Sequence, residues 1–336
     1  MLIGKIETDN RLLIVAEIGN NHEGDISRAR EMIAAAAEAG VDAVKFQTIV
    51  PERLISSTDP ARIEQLKRFQ FSYDQFAGLA VEASRRGVMF LSTPFDLESV
   101  DFLSTIVPAF KIASSDNNFY PLIRRIALTG KPVILSSGLA NMEELCKACD
   151  LVRSVWSSGK LSPGLAVLHC VSSYPTEDQD ANLKAIAVIA GMNVTPGYSD
   201  HTIGIEACIA AVALGARILE KHFTLDKDLS DFRDHKLSAD PKEISELVRA
   251  VRRVDRLLGS GDMSGSLLNK DMLARLRRSA AAGRDLPCGT VISKEDILWV
   301  RPGIGFGPGQ EGALLGKKLM RALKMGEIVM PKDVQT

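Results

Sequence analysis

Residues 193–223 read NVTPGYSDHTIGIEACIAAVALGARILEKHF, a stretch that contains two apolar runs, NVTPGYSDH (193–201) and ARILEKHF (216–223), each closing at a histidine. Six earlier runs share their character: LLIVAEIG (12–19), DAVKFQT (42–48), VMFLSTPF (88–95), AFKIASSD (109–116), PVILSSG (132–138) and LAVLHCVSSYP (165–175). Amphipathic helical patterns separate them. The count therefore decides the architecture. Eight strands alternating with helices predict an α/β fold of the (β/α)8 TIM-barrel type rather than a six-stranded doubly wound sheet. No GxGxxG follows the first strand, which removes the main support for a dinucleotide site.

Two helices frame the prediction. In DISRAREMIAAAAEAG (25–40), Ile26, Ala29, Ile33 and Ala36 share one face, with a start near Asp25 or Ser27 and a stop at Gly40. DPKEISELVRAVRRVDRLLG (240–259) has Asp240 as N-cap, Pro241 in the first turn and Gly259 at the end. Its apolar stripe runs Ile244, Leu247, Val251, Val254, Leu258. The barrel is thus expected to occupy 1–258. Residues 259–278, rich in Gly and Ser and then basic, read as a linker, and 279–336 as a small β-rich module.

Composition limits the rest. The chain has 336 residues, 46% of them hydrophobic, and a formal charge of −1. Near-neutral charge of mixed sign gives no electrostatic reason to expect nucleic acid or a membrane surface as partner. No apolar run approaches the ~20 residues that span a bilayer, and MLIGKIETDN does not read as a signal peptide. The five cysteines are scattered. Cys146 and Cys149 form a CxxC inside a helical pattern with no second pair, so idle thiols in a reducing cytoplasm fit better than zinc.

In a barrel the chemistry sits at the C-terminal strand ends. Here those ends carry Glu17, Lys45 with Gln47, Ser92 with Thr93, Lys111 with Ser114, Ser136 with Ser137, Ser172 with Tyr174, Ser199 with His201, and Lys221 with His222. Lys45 and Lys111 would either snorkel to solvent or face one mouth, where they require a bound anion or paired acids. Thr93, Ser114, Ser136 and Ser199 are suitable neutral donors for phosphate. His201 and His222, at neighbouring strand ends, are either hydrogen-bonded structural groups or two ligands of one divalent ion with room left for substrate oxygens. His169, inside an apolar strand, reads as structural. Glu17 has no helix to cap, whereas Asp116 and Asp234 have surface or capping roles as alternatives.

The motifs AEIGNNHEGD, VKFQT, STPFD, KIASSD, ILSSG, GYSDHTIG and EKHFTLD, taken in order, resemble the sialic acid synthase family, and RSAAAGRDLPCGTVISKEDILWVRPGIGFGP resembles its C-terminal antifreeze-like SAF domain. The resemblance spans almost the whole chain. It implies metal-dependent condensation of phosphoenolpyruvate with an N-acetylated hexosamine, giving a nine-carbon 2-keto acid and phosphate. Carried over residue by residue, it implies a metal, Mn²⁺ first and Mg²⁺ or Co²⁺ as alternatives, on His201 and His222. Phosphoenolpyruvate would meet Lys45, Thr93, Lys111, Ser114, Ser136 and Ser199. The sugar would meet Gln47, Asp116, Tyr174, Asp234 and, from a swapped partner subunit of a homodimer, Arg301. Asp116 stands where some relatives have glutamate, and Ser172, expected against phosphoenolpyruvate, where some have asparagine. Glu17 is the expected proton carrier. A Schiff-base aldolase acting through Lys45 or Lys111 is the rival enzyme reading, but it leaves the histidines without a role. A sugar- or ice-binding protein is the non-enzymatic one; the charged SKEDILWVRPG does not suit a flat ice-binding face.

Overall fold

The computed structural model describes residues 1–232, 234–262 and 269–335. It divides into two compact units, Met1–Gly259 and Ser260–Thr336. Of the expected linker, residues 263–268 lie outside the described residues, and Lys270–Leu276 form a short helix capped by Asn269.

The first unit is built on β1 (Leu13–Gly19), β2 (Ala43–Thr48), β3 (Met89–Pro94), β4 (Phe110–Ile112), β5 (Val133–Ser136), β6 (Leu165–Cys170), β7 (Thr195–Asp200) and β8 (Ile218–His222). They pair in the order β3-β2-β1-β8-β7-β6-β5-β4, with parallel ladders, and β3 lies against β4 to close the cylinder. Helices cover the outside, so both faces of every strand are buried and the sequence runs are apolar rather than alternating.

Strand parity still assigns each side chain a direction. On β1 and β2, Ile14, Ala16, Val44 and Phe46 face the helices, while Leu13, Val15 and Ala43 face the lumen. The floor of the lumen is filled by those residues with Leu91, Ala109, Ile134, Ala166 and Ile218, joined by Ile3 and Ile6 from an N-terminal hairpin. Each isoleucine buried there contributes roughly 2 kcal/mol. Hydrophobic filling below leaves the polar inward positions only at the top.

Helix Ile26–Glu38 is capped by Asp25, which accepts from the amides of Ser27 and Arg28, and it buries Ala29, Met32, Ile33 and Ala36. Helix Pro241–Leu258 is capped by Asp240 and buries Ile244, Leu247, Val248 and Val251; Leu258, at the end of the expected stripe, is exposed. This last helix is fastened to the first strands. Arg252 donates to both oxygens of Asp42, at 2.7 and 2.6 Å, and to the Leu12 carbonyl at 2.7 Å, while Asp42 accepts from the Ile14 amide at 2.9 Å.

The second unit pairs β9 (Ser279–Ala282) with β10 (Ile297–Val300) antiparallel around Ala280, Ala282, Leu286, Ile292, Leu314, Leu319, Leu323 and Val329. It contains an internal duplication. Arg284, Leu286, Gly289 and Asp296 recur in the same spacing as Arg321, Leu323, Gly326 and Asp333. Both glycines have positive φ, 83° and 84°, and both arginines bind the aspartate twelve residues on. The halves meet where Leu286 and Leu323 exchange backbone hydrogen bonds, each 2.8 Å.

Candidate active site

The top of the barrel holds a cavity of about 1050 Å³. Lys45 and Lys111, inward on β2 and β4, are buried there with 4% and 3% exposure. Neither snorkels. Lys45 Nζ lies 2.8 Å from Glu17 Oε2 and 3.7 Å from Glu220 Oε2, and donates to Thr93 Oγ1 at 3.3 Å. Lys111 Nζ donates to Ser136 Oγ at 2.6 Å and lies 3.7 Å from Glu220 Oε1. Ser199 Oγ donates to that same Glu220 oxygen at 3.0 Å.

Two cations and two anions thus share a site nearly closed to water, and their protonation follows from the neighbours. Burial would raise Glu220, but Lys111 and Lys45 overcome it and hold the carboxyl at about 2. Burial likewise opposes the charge on Lys45, which Glu17 and Glu220 nonetheless push upward. Lys111 has weaker compensation, and burial lowers it. Glu17 moves the other way: burial, reinforced by the repulsion of Glu220, outweighs Lys45 and raises its carboxyl. Glu17 Oε1 also accepts from Gln47 Nε2 at 3.2 Å, and Gln47 in turn accepts from Asn20.

Beside the lysines, Ser114, Ser136 and Ser172 line the cavity. Among the described residues, Ser172 Oγ is buried without a partner, and a Cβ placed on Gly138 would fall 2.5 Å from it and 2.6 Å from Ser114 Oγ. Only glycine leaves the space beside both hydroxyls open. Cys170, which sequence reasoning passed over, reaches Ser114 Oγ at 3.6 Å and His201 Nδ1 at 3.8 Å.

His201 and His222 stand 5.3 Å apart between ring centroids, with the Tyr174 ring 4.1 Å from the first and edge-on to the second at 6.1 Å. His201 Nδ1 meets the Val171 carbonyl at 2.7 Å; a carbonyl only accepts, so Nδ1 donates and Nε2 is the ring nitrogen that could ligate. Among the described residues, His222 Nδ1 is buried without a partner, and burial lowers the ring to about 4, so it is neutral at neutral pH. Among the described residues, no group of three or more His, Cys, Asp or Glu side chains has metal-ligand spacing. Two imidazoles at adjacent strand ends suit an ion that keeps most of its shell for water and substrate. His169, by contrast, bonds the Ala181 carbonyl at 2.8 Å, a structural contact.

Asp234, at the start of the helix Asp234–Leu237, also lines the cavity. Asp116 does not; it closes a short turn at Ser114–Asp116, accepts from Ser115 Oγ, and its carboxyl is raised by burial. Arg301 belongs to the second unit, just after β10, and is exposed. Lys221 and Ser92, counted among the polar strand ends, point outward. Lys221 pairs with Asp200 at 2.8 Å, and Ser92 bonds Thr48 at 2.7 Å. Glu220 is the largest omission, and parity would have found it: in ILEKH it shares the inward direction of Ile218 and His222.

A closed parallel barrel with a lysine–carboxylate cluster, a row of hydroxyls and two imidazoles at its C-terminal mouth defines a barrel enzyme that handles anionic substrates. The NeuB family matches residues 32–263, and a SAF domain matches 277–335. The chain is 37% identical to an N,N'-diacetyllegionaminic acid synthase of Legionella pneumophila, covering 96% of this chain and 94% of that protein. It is 36% identical to a pseudaminic acid synthase of Campylobacter jejuni over the full length of both. The crystal structure of an N-acetylneuraminic acid synthetase from Leptospira borgpetersenii superposes with a TM-score of 0.75 at 35% identity, over 81% of this chain and 94% of that one. This chain belongs to the NeuB family of sialic acid synthase-type enzymes and carries a C-terminal SAF domain.

Proposed function

We propose that this enzyme condenses phosphoenolpyruvate with the open-chain aldehyde of an N-acetylated hexosamine, giving a nonulosonic acid and phosphate. N-acetylmannosamine, its 6-phosphate and the 2,4-diacetamido-6-deoxy sugars are the candidate acceptors. The observation that carries this reading is the pair of buried lysines, bridged by Glu220 and flanked by Thr93, Ser114, Ser136, Ser172 and Ser199, in one cavity with two histidines. The relatives named above supply the substrate class.

In this reading Lys45, Lys111 and the hydroxyls hold the phosphate as its charge changes. The enol carbon bonds to the aldehyde carbon, and Glu17, whose carboxyl is raised by burial, is the group assigned to deliver the proton to the aldehyde oxygen. Water then adds to the oxocarbenium-like carbon, and the tetrahedral intermediate expels phosphate. Gln47, Tyr174 and Asp234 orient the sugar, with Arg301 of a second copy in a domain-swapped homodimer. His201 and His222 would hold a divalent ion, Mn²⁺ first, that polarises the acceptor carbonyl. Five free thiols suit a cytoplasmic enzyme. Among the described residues, no helix is long and apolar enough to cross a membrane.

A Schiff-base reading would draw on Lys111, lowered by burial. Borohydride inactivation in the presence of substrate is its expected signature.

The test is phosphate release from phosphoenolpyruvate across a panel of these sugars, after chelation and with Mn²⁺ restored. Release that needs an amino sugar and Mn²⁺ together is expected; none with any sugar overturns the reading. Spin-resonance titration of Mn²⁺ against His201→Ala and His222→Ala tests the metal site directly. Binding unchanged in both variants would remove the ion from these histidines.

A further inference from the structure

One acid in the cavity wall has no part in the scheme above and sits in an unfavourable backbone conformation. Glu23 has φ +50°, in the left-handed region, where a side chain costs about 1–2 kcal/mol. Such a conformation persists only where its surroundings hold it. The next residue, Gly24, has φ +80°, and a Cβ there would fall 1.9 Å from the Arg68 carbonyl oxygen, so the loop after β1 is pressed against the segment leading to Phe69.

The Glu23 side chain is held from the opposite direction. Its Oε1 accepts from Ser230 Oγ at 2.8 Å and from His235 Nε2 at 3.0 Å, and the Arg28 guanidinium lies 3.6 Å away. His235 is fully buried, and its other ring nitrogen meets Thr224 Oγ1 at 2.7 Å. Two residues earlier, the amide of Asn21 donates to the Phe223 carbonyl at 2.8 Å and to Ser238 Oγ at 2.9 Å. The segment after β8 is therefore stitched to the loop after β1 along its length. Between the two points that Glu23 holds lie Asp231, Phe232 and Asp234, all lining the cavity.

We infer that Glu23 is a positioning residue for the acceptor. By holding Ser230 and His235 together, its carboxylate fixes the loop that presents Asp231, Phe232 and Asp234. Naming the acceptor as the ligand rests on the condensation proposed above; the loop attachment does not. Lys45, Lys111 and the phosphate-side hydroxyls lie on other strands and are untouched by this contact.

Glu23→Ala removes the acceptor oxygen, whereas Glu23→Gln keeps one. The expected result is an acceptor KM raised about tenfold in Glu23→Ala, the loss of roughly one hydrogen bond to a charged group, with the phosphoenolpyruvate KM within about twofold. Glu23→Gln should lie much nearer the wild type, and Ser230→Ala should shift the acceptor KM in the same direction by less. Equal changes in both KM values, an unchanged acceptor KM in Glu23→Ala, or a Glu23→Gln as impaired as Glu23→Ala would overturn the assignment. Hydrogen exchange supplies an arm independent of turnover: amides of residues 224–238 should exchange faster in Glu23→Ala while β2 and β4 keep their protection. Unchanged exchange in that segment overturns the attachment. A wild-type enzyme that releases no phosphate with any sugar overturns the condensation reading alone, and exchange still decides the role of Glu23 in the loop.

Discussion

Lys45 and Glu17 form an ion pair at 2.8 Å inside the barrel, with exposures of 4% and 2%. The pair is not a simple neutralisation. Burial raises the Glu17 carboxyl and the repulsion of Glu220 adds to it, while Glu17 and Glu220 together push Lys45 upward against its own burial.

From this arrangement, Glu17→Gln should lower kcat by about a hundredfold or more. Lys45 keeps Glu220 as its counter-ion and loses a competitor for phosphate, so the phosphoenolpyruvate KM should be unchanged or lower. Steady-state phosphate release measures both; near-normal kcat would remove Glu17 from the proton transfer.

Glu220→Gln has a different expected signature. Both lysines lose their shared counter-ion, and leaving buried charge uncompensated costs about 3–5 kcal/mol. The melting temperature should fall in the free enzyme and recover on adding phosphoenolpyruvate, whose anionic groups replace the lost carboxylate. Calorimetry with and without the ligand checks this, and a fall that the ligand does not reverse would contradict it.

Arg301→Ala should raise the acceptor KM more than that of phosphoenolpyruvate. Mixing it with His201→Ala distinguishes how the site is assembled. Where the arginine comes from the partner, a mixed dimer contains one intact site and turnover with the wild-type acceptor KM reappears. Where it comes from the same chain, every site carries one lesion and only the raised KM of Arg301→Ala is seen.

The second unit should be acid-sensitive. Asp296 is held below the usual carboxylate range chiefly by the Ser293 amide, with Arg284 contributing. Burial would raise Asp333, but Arg321 and the Met330 amide bring it below that range. A depressed folded value stabilises fully above the unfolded value, near 4, and that contribution is lost as pH falls through the folded values. Trp299, on β10, reports the unit once Trp156→Phe removes the other tryptophan. Stability followed by Trp299 should decline below about pH 4, and Asp333→Asn should lower the neutral plateau and flatten the decline.

How far the sequence carried can be read from particular residues. Lys45, Lys111, His201 and His222 were legible because a polar group ending an apolar run is conspicuous, and the eight-strand count placed those ends on one rim. Glu220 and Lys221 were misjudged together. With both faces buried no hydrophobic alternation marks the inward side of ILEKH, so only His222, expected at the mouth, fixes by parity that Glu220 and not Lys221 looks inward. Glu23 and His235 were invisible for another reason. Their partnership spans nearly the whole barrel sequence and depends on a left-handed backbone at a non-glycine residue, which no local pattern announces. Asp116 matched a motif, yet its turn leaves it outside the cavity wall. The duplication in the second unit was in plain text, but its few identical residues are spread among unlike neighbours.

That duplication has a consequence for how so small a body stays folded. Each half offers the other the same edge it receives, through Leu286 and Leu323, which is the relation between protomers of a two-fold assembly. Here one polypeptide plays both protomers. The entropy of bringing two separate chains together is never incurred, and the unit's cohesion is independent of protein concentration.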